Sequence, residues 1–160
     1  MKTLVRDLAQ IIIIAFVLGL AANAVNPRGV KIGFSRPPRA FAADSSLTGG
    51  SFKEPFLVNR EQLRRMAESG AVIIDARSPE EFVAGHIPGA VNIHFEALHE
   101  YVGVMEKLPR DRWLVCYCDG PPCDKGEMLA RELVSQGFPR VAYYYEGLND
   151  WKRAGLEVVR

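Results

Sequence analysis

Residues 72–93 read VIIDARSPEEFVAGHIPGAVNI. Ala71-Val72-Ile73-Ile74 is a short apolar run, fit for a buried strand. Ser78-Pro79-Glu80-Glu81 has the composition of a helix start. Ser78 can cap it, and Pro79 stands in the first turn, where a missing N–H costs no hydrogen bond. Pro88-Gly89 then turns the chain into a second short strand, Ala90-Val91-Asn92-Ile93. Working outward, Asn59 can cap a helix over residues 60–67 that Gly70 ends. A helix is expected from about Phe95 to Lys107, a buried strand over Trp113-Leu114-Val115-Cys116-Tyr117, and a helix from Gly126 to Ser135 closed by Gly137. Val141-Ala142-Tyr143-Tyr144-Tyr145 reads as a strand and Leu148 to Arg153 as a last helix. Strands alternating with helices imply an α/β fold, a parallel sheet covered on both faces. Ligands of such sheets sit beyond the carboxyl ends of the strands. Asp75-Ala76-Arg77 and the segment from Cys118 onward occupy such places.

The chain has 160 residues, 48% hydrophobic and 24% charged, with three cysteines and a net charge of +1. This is a globular composition, long enough for one domain and a small extra. Three cysteines are too few for a disulfide-built scaffold, and a near-neutral chain is not a basic nucleic-acid binder. The neutrality is a cancellation. Lys2, Arg6, Arg28, Lys31, Arg36 and Arg39 against Asp7 give residues 1–43 a charge of +5, which leaves −4 for the rest.

The basic part holds an uncharged run of eighteen residues, Leu8 to Val25. At about 1.5 Å per residue it spans roughly 27 Å, close to the hydrocarbon thickness of a bilayer. It reads as a single apolar helix, a transmembrane anchor. A cleaved signal peptide, with Ala22-Asn23-Ala24 at the cleavage site, and a buried core helix are the alternatives. Bases after the run favour a cytoplasmic domain by the positive-inside rule. The short basic tail before it favours export, and the extracytoplasmic side is the preferred expectation. Residues 26–54, rich in Pro, Gly and Ser, read as a linker, and residues 55–160 as the domain.

Cys118 ends an apolar strand, about seven residues before a helix. A thiol facing the amino end of that helix is favoured as a thiolate by the dipole and the unpaired N–H groups. A thiolate is a nucleophile and can carry sulfur as a persulfide. An inert, half-buried structural cysteine is the competing reading. Cys118 and Cys123 lie close enough in sequence to form a disulfide, and Cys123 could then resolve a persulfide or sulfenate on Cys118. Cys116 shares a strand face with Cys118 and is expected inside the core. No four-ligand metal pattern is formed by these cysteines with His86, His94 or His99.

Over nearly all of residues 55–160 the sequence resembles the rhodanese family. Three stretches carry the resemblance: Val72 to Ile93 quoted above, LVCYC ending at Cys118, and EGLNDWKRAGLEV from Glu146. The resemblance implies a five-stranded parallel sheet flanked by helices. It also implies a sulfurtransferase that moves sulfane sulfur through a Cys118 persulfide, from a small donor or protein persulfide to a thiol or other nucleophile, with no cofactor. The loop departs from the family pattern. Family loops run Cys, four residues, Arg; here Cys123 takes the place of that Arg in Cys118-Asp119-Gly120-Pro121-Pro122-Cys123-Asp124-Lys125-Gly126. Pro121 and Pro122 donate no N–H to an anion. Asp119 and Asp124 are expected to repel an anionic donor such as thiosulfate, and Lys125 to replace the Arg in part or to bind a donor or acceptor. A phosphatase of this fold needs Arg at the sixth position after the cysteine, where Asp124 stands. Two rival functions remain open: a membrane-anchored dithiol–disulfide redox protein using Cys118 and Cys123, and a binding module without catalysis.

Asp75 and Arg77 are expected to pair and fix the loop between them and the site. His86 is expected to lock a turn, Glu81 and Phe82 to pair and pack on their helix, and Tyr143-Tyr144-Tyr145 and Trp151 to pack in the core. Glu146 stands where the family commonly has glycine.

Overall fold

The computed structural model describes residues 53–160, together with Arg6, Gln10 and residues 13–15, which are helical and exposed. Two compact units divide the chain, Met1–Pro38 and Arg39–Arg160. Among the described residues no helix is long and apolar enough to cross a membrane. The apolar run from Leu8 to Val25 and the linker over 26–54 lie almost wholly outside the described residues.

Five strands form one sheet: β1 (Phe56–Leu57), β2 (Val72–Asp75), β3 (Val91–Asn92), β4 (Leu114–Tyr117) and β5 (Val141–Tyr144). Their order is β1-β5-β4-β2-β3, and every pairing is parallel. The helices are α1 (Arg60–Glu68), α2 (Pro79–Ala84), α3 (Val102–Met105), α4 (Lys125–Ser135) and α5 (Gly147–Arg153). In register, Ile74 lies beside Cys116 and Cys116 beside Tyr143, so these three side chains share one face of the sheet. That face packs on Leu129, Ala130 and Leu133 of α4. The alternate residues Ile73, Val115, Tyr117, Ala142 and Tyr144 face Leu63 and Met66 of α1 and Leu148 and Trp151 of α5. Both faces are therefore apolar, which is why β4 and β5 read as unbroken apolar runs with no alternation.

The short helices are secured at their starts. The side chain of Asn59 accepts from the N–H of Gln62 at 2.9 Å, and the Gln62 side chain accepts in return from the N–H of Asn59 at 3.0 Å. Ser78 and Glu81 make the same reciprocal pair on α2, with Pro79 as its first residue. Each such pair satisfies two N–H groups that a helix end leaves without partners.

Two elements differ from expectation. The helix expected over 95–107 is a 3₁₀ segment, Phe95–Glu100, kinked at Ala97 (φ −125°, ψ 36°), followed by the four-residue α3. Phe95, Leu98 and Tyr101 all pack against the core. A spacing of three aligns them on a 3₁₀ turn but spreads them around an α-helix. Val102, Gly103 and Val104 are weak helix formers, and α3, which they make up with Met105, ends after four residues. The other difference is β1, which no sequence signal marked. It is two residues long and exists through pairing of Phe56 with Ala142 and Leu57 with Tyr143.

Candidate active site

Cys118 leaves the carboxyl end of the central strand β4 and is 3% exposed. The amino end of α4 comes down on this strand end, and Gly126 permits the approach. A Cβ at position 126 would lie 2.8 Å from the Tyr117 carbonyl carbon, 2.9 Å from its Cα and 3.1 Å from the Cys118 nitrogen. Asp124, the cap residue of α4, makes no side-chain hydrogen bond to the helix end. The N–H groups of its first turn, which no intrahelical carbonyl can reach, thus receive none from that cap.

The loop rests on the start of α5. The carbonyls of Cys118 and Asp119 accept from the N–H groups of Leu148 (2.8 Å) and Asn149 (2.9 Å). Gly120 (φ 107°) and Gly147 (φ 65°) meet backbone to backbone here, and a Cβ on either would run into the other segment. The N–H of Cys123 donates to the carbonyl of Gly120 at 2.8 Å, which folds the loop back across Pro121 and Pro122. Cys118 and Cys123 are joined by a disulfide, with their Cα atoms 6.5 Å apart. This separation lies inside the range that disulfides ordinarily span. Cys116 is the free cysteine among the described residues and is fully buried. Burial pushes its thiol pKa up, so it stays protonated.

Beside the loop lies a buried ionic network. Asp75 is 0% exposed and Arg77 4%. Arg77 donates from Nε at 3.0 Å and from Nη2 at 2.6 Å to the Asp75 carboxylate, and from Nη2 to the Gly85 carbonyl at 2.8 Å. Its third nitrogen, Nη1, reaches the Asp119 carboxylate at 3.2 Å. Burial opposes the charge on Arg77, but the Asp75 hydrogen bonds outweigh it and hold the guanidinium protonated. Asn92 donates to the carbonyls of Asp75 (3.1 Å) and Arg77 (2.9 Å). The Tyr117 hydroxyl accepts from the Ile87 N–H at 3.0 Å. Burial and its hydrogen bond to Asp75 push the phenol pKa up. Asp119, expected to repel an anionic donor, lies against Arg77, a residue 42 positions earlier in the chain that it shares with Asp75. Lys125 is likewise occupied, its Nζ 2.9 Å from Glu96 of the 3₁₀ segment. Glu96, Gly147 and Tyr117 belong to the site's surroundings and carried no functional signal in the sequence.

The other marked residues pack and hydrogen-bond away from the cysteine loop. The His86 Nδ1 lies 2.9 Å from the Phe82 carbonyl, and its ring stacks on Phe82 with centroids 3.7 Å apart. Its backbone pairs with Val159. Tyr143 and Tyr144 are buried, and Trp151 donates from Nε1 to the Glu157 carbonyl at 2.7 Å. A cavity of about 430 Å³ lies at the opposite ends of the strands, lined by Arg65, Met66, Ala71, Trp113 and Arg140 among others, away from the cysteine loop.

The site is thus a parallel sheet with a cysteine at the end of its central strand, a tight loop after it and a helix start closing over it. The chain belongs to the rhodanese-like domain family, whose model matches residues 59–154. Its relatives include named sulfurtransferases. It is 29% identical over 92 residues to the thiosulfate sulfurtransferase GlpE of Pseudomonas syringae, covering 58% of this chain and 82% of that one. It is 31% identical over 97 residues to a sulfurtransferase of Allochromatium vinosum, covering 60% and 86%. It also matches an HTH-type transcriptional regulator of Mycobacterium tuberculosis, at 36% identity over 102 residues, 63% of this chain but only 43% of that protein's length. Among solved structures, the human single-domain sulfurtransferase TSTD1 matches with a TM-score of 0.53 and 27% identity, over 61% of this chain and 95% of that one.

Proposed function

We propose that the domain is a sulfurtransferase in which reduced Cys118 attacks the sulfane sulfur of a donor and holds it as a persulfide. The observation that carries the reading is the start of α4 packed on the Tyr117–Cys118 backbone at Gly126, with no hydrogen bond from the Asp124 side chain to its first turn. Pro121 and Pro122 have no N–H, and that of Cys123 is spent on Gly120. Stabilisation of the anionic sulfur falls on the helix end, whose N–H groups and dipole favour negative charge. The chemistry needs no cofactor. Thiosulfate is a poor donor in this reading, because the place of the family's arginine holds Cys123, and both nearby cations, Arg77 and Lys125, are already paired. A neutral or monoanionic persulfide or polysulfide fits better, with a thiol as acceptor. We place the domain outside the cytoplasm, tethered by residues 8–25. The short basic tail ahead of the apolar run supports this, since export signals begin that way.

The test is cyanolysis and intact mass. With Cys123→Ser, where no second thiol can close on Cys118, reduced protein treated with a persulfide donor should gain about 32 Da on Cys118 and release thiocyanate with cyanide. Equal, background thiocyanate from Cys123→Ser and from the double variant Cys118→Ala/Cys123→Ser would sink the reading. The Cys118–Cys123 bond favours a second reading, a dithiol–disulfide redox protein. In that case donor treatment yields an internal disulfide, a loss of about two protons, with no sulfur adduct on any variant.

A further inference from the structure

We infer that Cys123 is a resolving thiol that converts sulfur held on Cys118 into free sulfide, so that the domain reduces sulfane sulfur at the expense of a dithiol partner. The inference rests on the persulfide reading above and deepens it.

The geometry supplies the step. The loop folds back through the Gly120–Cys123 hydrogen bond, and the two sulfurs are in bonding contact with β4 paired through Tyr117 and α4 formed from Lys125. Once Cys118 carries an outer sulfur, the Cys123 thiolate attacks the Cys118 Sγ. The Cys118–Cys123 bond forms, the bond to the outer sulfur breaks, and that sulfur leaves as hydrosulfide. Two thiols are oxidised to one disulfide, and the sulfane sulfur takes up the two electrons as sulfide. The structure holds the product of this step. Cys116 cannot serve in its place, since it is wholly buried on the α4 face of the sheet.

The same geometry selects the route back. Cys118 is 3% exposed, whereas Cys123 is only partly buried. An incoming thiolate reaches Cys123 and expels Cys118, and the leaving thiolate appears under the α4 start that stabilises it. The second thiol of a dithiol reductant then attacks the mixed disulfide. It leaves as an oxidised dithiol, and both cysteines return as thiols. A dithiol partner completes this return within one encounter, and the substrate class is a persulfide or polysulfide.

The experiment uses the reduced full-length chain and glutathione persulfide, one equivalent, without oxygen. Wild type should release close to one sulfide per chain and end as the internal disulfide. Cys123→Ser should keep a stable gain of about 32 Da and release at least tenfold less sulfide. A Cys123→Ser protein that releases sulfide like wild type, or a wild type that keeps the adduct with Cys123 free, overturns the inference and leaves the persulfide carrier standing. If Cys123→Ser takes up no sulfur, the carrier reading falls and this inference with it. Oxidised wild type quenched after brief exposure to glutathione should carry the glutathionyl group on Cys123. An adduct mainly on Cys118 overturns the route back.

Discussion

Replacing Gly126 with alanine tests the contact on which the site depends. In most helices this change stabilises, by about 1 kcal/mol, because glycine is a poor helix former. Here the new methyl group would stand 2.8 Å from the Tyr117 carbonyl carbon and 2.9 Å from its Cα. Ordinary carbon contacts lie at about 3.5–4.0 Å, so the helix start has to retreat by about 0.7 Å or more. The opposing atoms are backbone of the central strand and cannot rotate aside. Overpacking of this kind costs about 1–3 kcal/mol and exceeds the propensity gain. A net loss near 1 kcal/mol corresponds to a fall in Tm of about 4–8 °C for a domain of this size. Retreat of α4 also weakens its field at Cys118. In the reduced protein the alkylation of Cys118 should therefore shift to higher pH. Calorimetry and the pH profile of iodoacetamide labelling measure the two effects. A Gly126→Ala protein at least as stable as wild type, with an unchanged labelling profile, would refute the seating of α4 on the end of β4.

Arg77→Ala leaves the buried Asp75 carboxylate without its partner and should cost about 3–5 kcal/mol in urea denaturation; a loss below about 1 kcal/mol would contradict the network. In reduced, native protein, iodoacetamide should label Cys118 and Cys123 but spare Cys116, whose thiol is held protonated by burial; a third label without denaturant would show that the α4 face opens. Burial opposes ionisation of Asp150, but the Tyr144 hydroxyl and the Arg60 guanidinium outweigh it and hold the carboxyl below its ordinary value of 3.8. A folded-state pKa that is depressed adds stability present above the unfolded value and lost as pH falls through the folded one. Asp150→Asn should accordingly lower stability at pH 7 and flatten its acid decline below about pH 4, and an unaltered acid limb in denaturation would reject the assignment.

Much of the fold was legible because its signals are local. Asn59 and Ser78 each sit three residues from the partner that completes their cap. The strands β2, β4 and β5 are short apolar runs whose burial on both faces follows from their composition. The failures share a cause as well. The segment after Ile93 is apolar enough for a helix, but its shape was decided by three side chains that had to reach one core face. β1 has no pattern of its own, since two residues cannot display one.

The site divides in the same way. That Cys118 ends an apolar strand and precedes a helix follows from the order of residues, and so does the replacement of the family's loop arginine by Cys123. The partners of Asp119 and Lys125 did not follow. Each is paired with a residue about thirty to forty positions away, Arg77 and Glu96, brought near by a parallel sheet whose order, β1-β5-β4-β2-β3, is not the order of the chain. The sequence by itself determined which groups are present and which local elements carry them, because caps, apolar runs and turns act within a few residues. Only the tertiary structure decided which charges pair, how close α4 comes to Cys118, and that the loop closes one cysteine on the other. Those depend on distances across the packed sheet, and Coulomb energy, steric contact and bond formation all act over a few ångströms.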